Sequence, residues 1–392
     1  MLKLNKLFYA TDEQDVFSDR IQTTPEQKKF LVDCKNEIRD HLRPRIRDAT
    51  TVVLGMEKAV SPRFRTQGSW SYDTCVQPAF LPPQEIDWDF GVYLPVHVWE
   101  ENGPPHEMAK AYFALVEELL SDLCRSKGWK LIPGKATCIR IQVALWAHID
   151  IPLYAAPEHK FAQVMEKAAL SARSGNVAMD SMWMSESVDF SEMPEQVWED
   201  LDDIVMATRS GEWKFSDPEA VSRWFKDKLD EHTDQLRRVC RYLKAWRDHH
   251  WRDGGGPTSV SIMIAVAQTF EPQRGRDDLV LEKAARHLAA AIPNELREPG
   301  IDNGAEDFNN RLSPDEKVIA AKKAETLAQA LQQARIRGVH LKHEAIALVQ
   351  AHFGERIPNR AELVDADSGA EAIRSTPAQR VPPPVVLATS AG

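Results

Sequence analysis

Along the 392-residue chain, the alternation of apolar and polar positions predicts a mixed first half and a mainly helical second half. After Thr24-Pro25-Glu26-Gln27, the residues Phe30, Leu31, Cys34, Ile38 and Leu42 recur at helical spacing. The opening tetrad supplies a hydroxyl cap, a first-turn proline and a glutamine able to fold back on the cap. A long N-terminal helix is predicted, with residues 50–66 continuing it into a turn. From Gln67 to about Ala156 the pattern is mixed. Glu85 to Leu94 alternates with period two, as a strand does. Glu107 to Lys127 places Ala111, Leu115, Val116, Leu119 and Leu123 on one helical face, and Ala136 to Tyr154 holds one or two strands. From about Pro194 helices dominate. Ser216-Asp217-Pro218-Glu219 and Ser313-Pro314-Asp315-Glu316 both carry the capping-box pattern. Residues 297–312 are polar, with Pro299, Gly300 and Gly304, and read as a loop. Beyond Phe353 there is no aromatic residue, and the ending STPAQRVPPPVVLATSAG reads as a loosely attached tail.

Composition narrows the function classes. At 43% hydrophobic and 28% charged, the chain is of the water-soluble globular type, and its length suits two or three units. A net charge of −10 argues against broad nucleic-acid binding, which depends on neutralising phosphates, though a local basic pocket is compatible with it. The cysteines at 34, 75, 124, 138 and 240 form no C-x-x-C pair and no zinc or disulfide framework, so a reducing cytoplasm is the simpler expectation. No apolar run approaches the ~20 residues of a membrane span. The N-terminus turns acidic too early for a signal peptide.

The chemistry concentrates in QGSWSYDTCVQPAFLPPQEIDWDFGVYLP, residues 67–95. On a strand, Asp87 and Asp89 share one face while Ile86, Trp88 and Phe90 share the other. Two carboxylates so close repel unless a cation lies between them. The D-x-D pattern alone is common; Asp200/Asp202 and Asp365/Asp367 repeat it in what read as a solvated acidic stretch and the tail. Asp87 and Asp89 differ in their apolar strand and in the upstream Gly68-Ser69, where glycine permits close backbone approach to a phosphate. In HIDIPLYAAP, Ile149, Ile151 and Leu153 form a core face and leave Asp150 on the opposite face with His148. Asp150 is either a third metal carboxylate or half of a salt bridge, with Arg140 as the candidate partner. Three strand-borne carboxylates beside a Gly-Ser turn suit two-metal phosphoryl transfer.

These residues resemble the Pol β-like nucleotidyltransferase superfamily. Within it, SPRFRTQGSWSYDT, PPQEIDWDFGVYLP, KATCIRIQ, HIDIPLYA, WKFSDPEAVSRWFKD, LRRVCRYLKAWRDHHW and GGPTSVSIM resemble, in order, the cGAS/DncV-like family (CD-NTases), over roughly residues 5–355. The resemblance implies an α+β fold: a Pol β-like core of mixed sheet and helices, a C-terminal helical domain, and an active-site cleft between them. It implies units at 1–190 and 191–355, then a flexible tail at 356–392. It implies two Mg²⁺ or Mn²⁺ ions held by Asp87, Asp89 and Asp150. It also implies nucleotide contacts at Gln67, Gly68, Ser69, Tyr72, Arg140, Asp217, Lys244 and Ser259. ATP and GTP would be joined and cyclised, giving an anti-phage second messenger read by an effector. An E1/E2-like conjugating enzyme acting on Gly392 is a further implied partner. No segment resembles the zinc insertion of DNA-sensing animal relatives, so DNA activation is not expected. The pattern departs from the family at Phe90, in place of a further Asp, in an extra glycine within Gly254 to Gly256, and in Thr258, in place of a Ser. Those departures bear on phosphate geometry and base choice.

Spacing alone leaves other readings open for several of these positions. On LRRVCRYLKAWRDHHW, Leu236, Val239, Leu243 and Trp246 form an apolar stripe, and Arg237, Arg241 and Lys244 fall on another face that could simply be solvated. Ser259 stands at the head of an apolar helix, where a Thr or Ser is ordinarily a cap. Tyr72 could be a core residue and Asp217 a cap. Two rival functions are compatible with such a chain: an inactive nucleotide-sensing or RNA-binding module, and template-free addition of nucleotides to RNA. The complete carboxylate triad argues against the first, and the acidic charge against the second.

Overall fold

In the computed structural model the described residues are 1–97, 106–160, 162–163, 201 and 204–366. Among them, eight strands form one mixed sheet. The chain begins with β1 (Leu2–Lys3), α1 (Asn5–Phe8), α2 (Phe17–Arg20) and α3 (Pro25–Ala49). Thr24 caps α3 through Gln27 N–H and Gln27 returns the bond, so the predicted helix start is present. Leu31, Cys34, Ile38, Leu42 and Ile46 bury one face of α3, each of the aliphatic side chains contributing ~1.5–3 kcal/mol. Next come β2 (Arg63–Gln67), α4 (Gly68–Ser71), β3 (Ile86–Val96) and α5 (His106–Lys127). The expected turn over 50–66 thus ends in a strand. Then follow β4 (Lys130–Ile132), β5 (Ile139–Ala144), β6 (Ala147–Ile151), β7 (Leu153–Pro157), β8 (Val205–Ala207) and β9 (Trp213–Phe215). The last two extend the sheet into a region expected to be helical.

The central strand is β3. β6 and β7, separated only by Pro152, run parallel to it, β6 along Ile86–Asp89 and β7 along Val92–Val96. β2 runs antiparallel to β3. α3 and α5 cover one face of this sheet, where Ile86, Trp88, Phe90, Ile149 and Ile151 join a single apolar core. The opposite face carries the polar residues of the same strands.

The helical half contains α6 (Pro218–Glu231), α7 (Asp234–His250), α8 (Ser259–Gln268), α9 (Asp277–Ala291), α10 (Pro299–Asp302), α11 (Pro314–Ile336) and α12 (Lys342–Phe353). α10 interrupts the stretch expected to be loop. The α6 cap is Asp217, which accepts from Glu219 and Ala220 N–H, in line with its reading as a cap. Ser313 caps α11 as expected.

The packing redraws the expected units. Leu2, Leu4, Leu7, Phe8, Val16, Phe17 and Ile21 lie in the core of the helical half, not with the sheet. The resemblance implies that they belong with the first unit, at residues 1–190. Likewise Ile357, Leu363 and Val364 are buried, and β10 (Asp365–Ala366) pairs with β1, so the expected tail start at 356 comes too early. Asp365 therefore stands in a strand. The 190/191 boundary, Asp200, Asp202, Asp367 and residues 367–392 with Gly392 lie outside the described residues.

Candidate active site

Strand register brings the acidic residues together. In the parallel pair, Asp87 stands beside His148 and Asp89 beside Asp150. Alternation then turns all four to the face left open by α3 and α5. On the other side of β3, Gln67 pairs with Asp89, so the Gly68-Ser69 turn begins at the carboxylates. Gly68 has φ +62°, and a Cβ there would fall inside 3.0 Å of Asp89 Oδ2. Only glycine fits both that backbone and that approach. Trp70 on α4 donates to the Asp87 carbonyl at 2.8 Å and stacks on Trp88, fixing the turn to β3.

The site carries more negative charge than its own cations neutralise. Arg140 forks onto Asp150, Nε to Oδ1 and Nη2 to Oδ2, both at 2.6 Å. The salt bridge weighed for Asp150 is therefore present. It does not detach Asp150 from the cluster: one ligand atom each from Asp87, His148 and Asp150 lie within 4.8 Å of one another. A carboxylate has about four lone-pair sites, and the fork uses one on each oxygen. Burial, then the charges of Asp87 and Asp150, push Asp89 up to about 8. Burial also acts to raise Asp87, but close contact with His148 and the charges of His148 and Arg140 outweigh it and hold Asp87 below the usual range. His148 is raised: its burial opposes the charged form, and Asp87 more than compensates. The fit to a divalent cation rests on the donors themselves. Asp87 Oδ1 is buried without a hydrogen bond, and hard carboxylate oxygens are what such an ion takes.

The facing wall comes from the helical half across a cleft of about 710 Å³, lined by Ser69, Asp87, Arg140, His148, Lys244, Arg247 and Ser259 among others. Leu236, Val239, Leu243 and Trp246 bury the stripe of α7 as expected. Lys244, however, is not on a solvated face. It is buried, its Nζ donates to the Thr74 carbonyl at 2.6 Å, and burial lowers it to about 8. Thr258, not Ser259, caps α8 by accepting from Ser261 N–H. That leaves the Ser259 hydroxyl facing the cleft, where it accepts from Arg247 at 3.1 Å.

Other predicted contacts lie elsewhere. Gln67 is buried between Tyr93 and Tyr154, to whose hydroxyls it hydrogen-bonds. Tyr72 packs edge-on against Phe225, with 5.8 Å between ring centroids. Asp217 caps α6 and pairs with Arg223 at 2.5 Å. None of these three lines the cleft. Sequence reasoning passed over Glu85, Arg247 and any role for His148. His148 carried a signal, because it shares a strand face with Asp150. Arg247 follows Lys244 by three residues and so shares its helix face.

Comparison with known proteins agrees with this geometry. The family described as "Cyclic GMP-AMP synthase DncV-like, nucleotidyltransferase domain" matches residues 62–154, and "Cyclic GMP-AMP synthase, C-terminal domain" matches residues 233–366. A cyclic GMP-AMP synthase of Vibrio cholerae is 32% identical over 388 residues, covering 96% of this chain and 84% of that protein. One from Escherichia coli is 31% identical over 335 residues, covering 83% and 74%. A mutant of the Vibrio cholerae dinucleotide cyclase DncV, solved with ATP, GTP and 5MTHFGLU2, superposes with a TM-score of 0.74 at 25% identity, covering 93% of this chain and 99% of that one. With a relative above 30% identity along nearly its whole length, the chain belongs to the DncV-like nucleotidyltransferase family.

Proposed function

We propose that this nucleotidyltransferase joins ATP to GTP and closes the linear product into 3′,3′-cyclic GMP-AMP, an anti-phage second messenger read by a downstream effector. The observation that carries the reading is the close packing of Gly68 over Asp89, beside Asp87, Asp150 and the open cleft. The choice of product is supported by relatives named cyclic GMP-AMP synthase.

One nucleoside triphosphate lies with its phosphates against Ser69, Lys244 and Ser259. Arg140 and Asp150 face the incoming ribose, and Asp150 accepts the proton of its 3′-hydroxyl. That oxygen attacks the α-phosphorus, and the bond to pyrophosphate breaks. The linear product turns round in the cleft, and a second attack expels a second pyrophosphate and closes the ring. Positioning and charge neutralisation carry most of the rate. Divalent ions held by Asp87, Asp89 and Asp150, Mg²⁺ or Mn²⁺, supply charge stabilisation at the reacting phosphate when bound. The five free thiols suit a reducing cytoplasm. An E1/E2-like enzyme acting on Gly392 is a further proposed partner.

The test is incubation with all four nucleoside triphosphates and Mg²⁺ or Mn²⁺, phosphatase treatment, and mass spectrometry of whatever resists. A resistant species with the mass of cyclic GMP-AMP is expected. A resistant product of another mass would correct the base assignment, and no resistant product under any condition would overturn the reading.

A further inference from the structure

The geometry points to Arg311 as the side chain that takes the terminal phosphate of the nucleoside triphosphate, so that the cleft tells a triphosphate from a diphosphate. This rests on the reading of the cleft as the nucleotide site.

A nucleotide whose α-phosphorus reacts beside Asp87 must run its other phosphates away from the sheet, past Ser69 and towards Ser259 on the facing wall. Ser259 accepts from Arg247 at 3.1 Å, which leaves its own proton for a phosphate oxygen. Beyond Ser259 the wall is the loop that precedes α11. That loop is pinned to the helix carrying Ser259, because the Ser261 hydroxyl donates to the Phe308 carbonyl at 2.7 Å. Asp307 closes its base, accepting from Leu296 N–H at 2.8 Å and from Asn309 N–H at 2.9 Å. Buried Leu312 anchors its other end. Arg311 stands between these anchors and lines the same cleft as Ser259. The neighbouring cations are already engaged. Arg247 donates twice to Asp248 Oδ1, from Nε at 3.0 Å and from Nη2 at 2.9 Å. Lys244 is held by the Thr74 carbonyl. Arg252 precedes Asp253 and lies over the Phe80 ring, 5.2 Å from its centroid. Arg311 is exposed and, among the described residues, makes no hydrogen bond and no ion pair. Glu316, on the same wall, is occupied by its capping box: Ser313 N–H and the Ser313 hydroxyl both donate to its Oε2. A guanidinium with its N–H groups uncommitted can fork onto a phosphate, which neither a hydroxyl nor an ammonium does. The β- and γ-phosphates leave together as pyrophosphate when the 3′-oxygen bonds to the α-phosphorus, so the contact also meets the charge that departs.

The test is calorimetric titration of the full chain, in Mg²⁺, with adenosine and guanosine triphosphates and diphosphates that carry a methylene bridge between the α- and β-phosphorus and so do not react. The parent is expected to prefer the triphosphate. Arg311→Ala should weaken triphosphate binding about tenfold or more and leave the diphosphate within about twofold, since one charged hydrogen-bonded contact is lost. Arg311→Gln should do the same, and Arg311→Lys should recover part of the loss. A merely structural role would weaken both ligands alike. Equal losses for triphosphate and diphosphate, a preference that survives in Arg311→Ala, or a preference removed by Arg252→Ala instead overturns the inference and leaves the nucleotide reading of the cleft in place. A parent that binds neither analogue overturns that reading and this inference with it.

Discussion

Gly68 and Asp89 are packed so closely that no side chain can be placed at residue 68 without displacing the carboxylate. The turn and the acid are therefore one device. The left-handed backbone at Gly68 is what lets Ser69 reach the cleft while Asp89 lies beneath. Gly68→Ala should cost ~1–2 kcal/mol of stability from the backbone alone. It should cost ~100-fold or more in turnover, because the carboxylate moves. Circular dichroism melts and product assays on the same preparation check both. Full turnover in Gly68→Ala would show that the packing is incidental.

Asp87→Ala and Asp150→Asn should each reduce product by about 10³-fold or more with the fold intact, since each removes charge from the site of phosphoryl transfer. Asn is the better choice at 150, because it leaves Arg140 an acceptor. Retained synthesis at the parent rate in either variant contradicts the assignment.

Asp89 gives the metal-free protein a definite pH response. Its folded pKa, about 8, is above its unfolded value, so its contribution is full below about 4 and is lost as pH rises towards 8. His148, also raised, loses its contribution above 6.5, in the same direction. Asp87 is lowered, and its contribution is lost only at acid pH. The melting temperature in chelator should therefore fall between pH 5 and about 8, and Asp89→Asn should flatten part of that slope. Added Mg²⁺ should raise the melting temperature most near pH 8, where Asp89 gives up its proton readily. Scanning fluorimetry across pH, with and without the ion, reads all three.

Lys244 is held to Thr74 in a buried position, and burial lowers it to about 8. It keeps its charge below that pH and loses it above. The KM for nucleoside triphosphate should rise as pH passes about 8, with kcat less affected. Lys244→Ala should raise KM by ~10–100-fold, the worth of a charged hydrogen bond. Steady-state kinetics across pH 7 to 9 separate this from a general loss of fold.

The sequence was most legible where periodicity and burial coincide. Leu31, Cys34, Ile38 and Leu42 announced α3, and the alternation of Ile86, Trp88 and Phe90 with Asp87 and Asp89 announced both β3 and the open face of the sheet. β2, β8 and β9 escape the sequence because five or three residues carry too little alternation, and their identity comes from pairing with β3, β7 and β8 in turn. The docking of residues 2–21 onto the helical half was hidden for a related reason: apolar residues state that they are buried, not against what. Lys244 was readable as a cation but not as a buried one, because Thr74, its partner, is 170 residues away. Gln67, expected at the nucleotide, turned to Tyr93 and Tyr154, a contact set by β2 pairing that one-dimensional spacing does not contain.

The most direct test of the account is a crystal of the full chain grown with Mn²⁺ and a non-reactive triphosphate analogue, examined for anomalous scattering. The account predicts peaks between Asp87, Asp89 and Asp150, with the triphosphate against Ser69 and Ser259. Nucleotide bound in the cleft with no metal peak at those carboxylates, or with Arg140 filling the space between them, would contradict it.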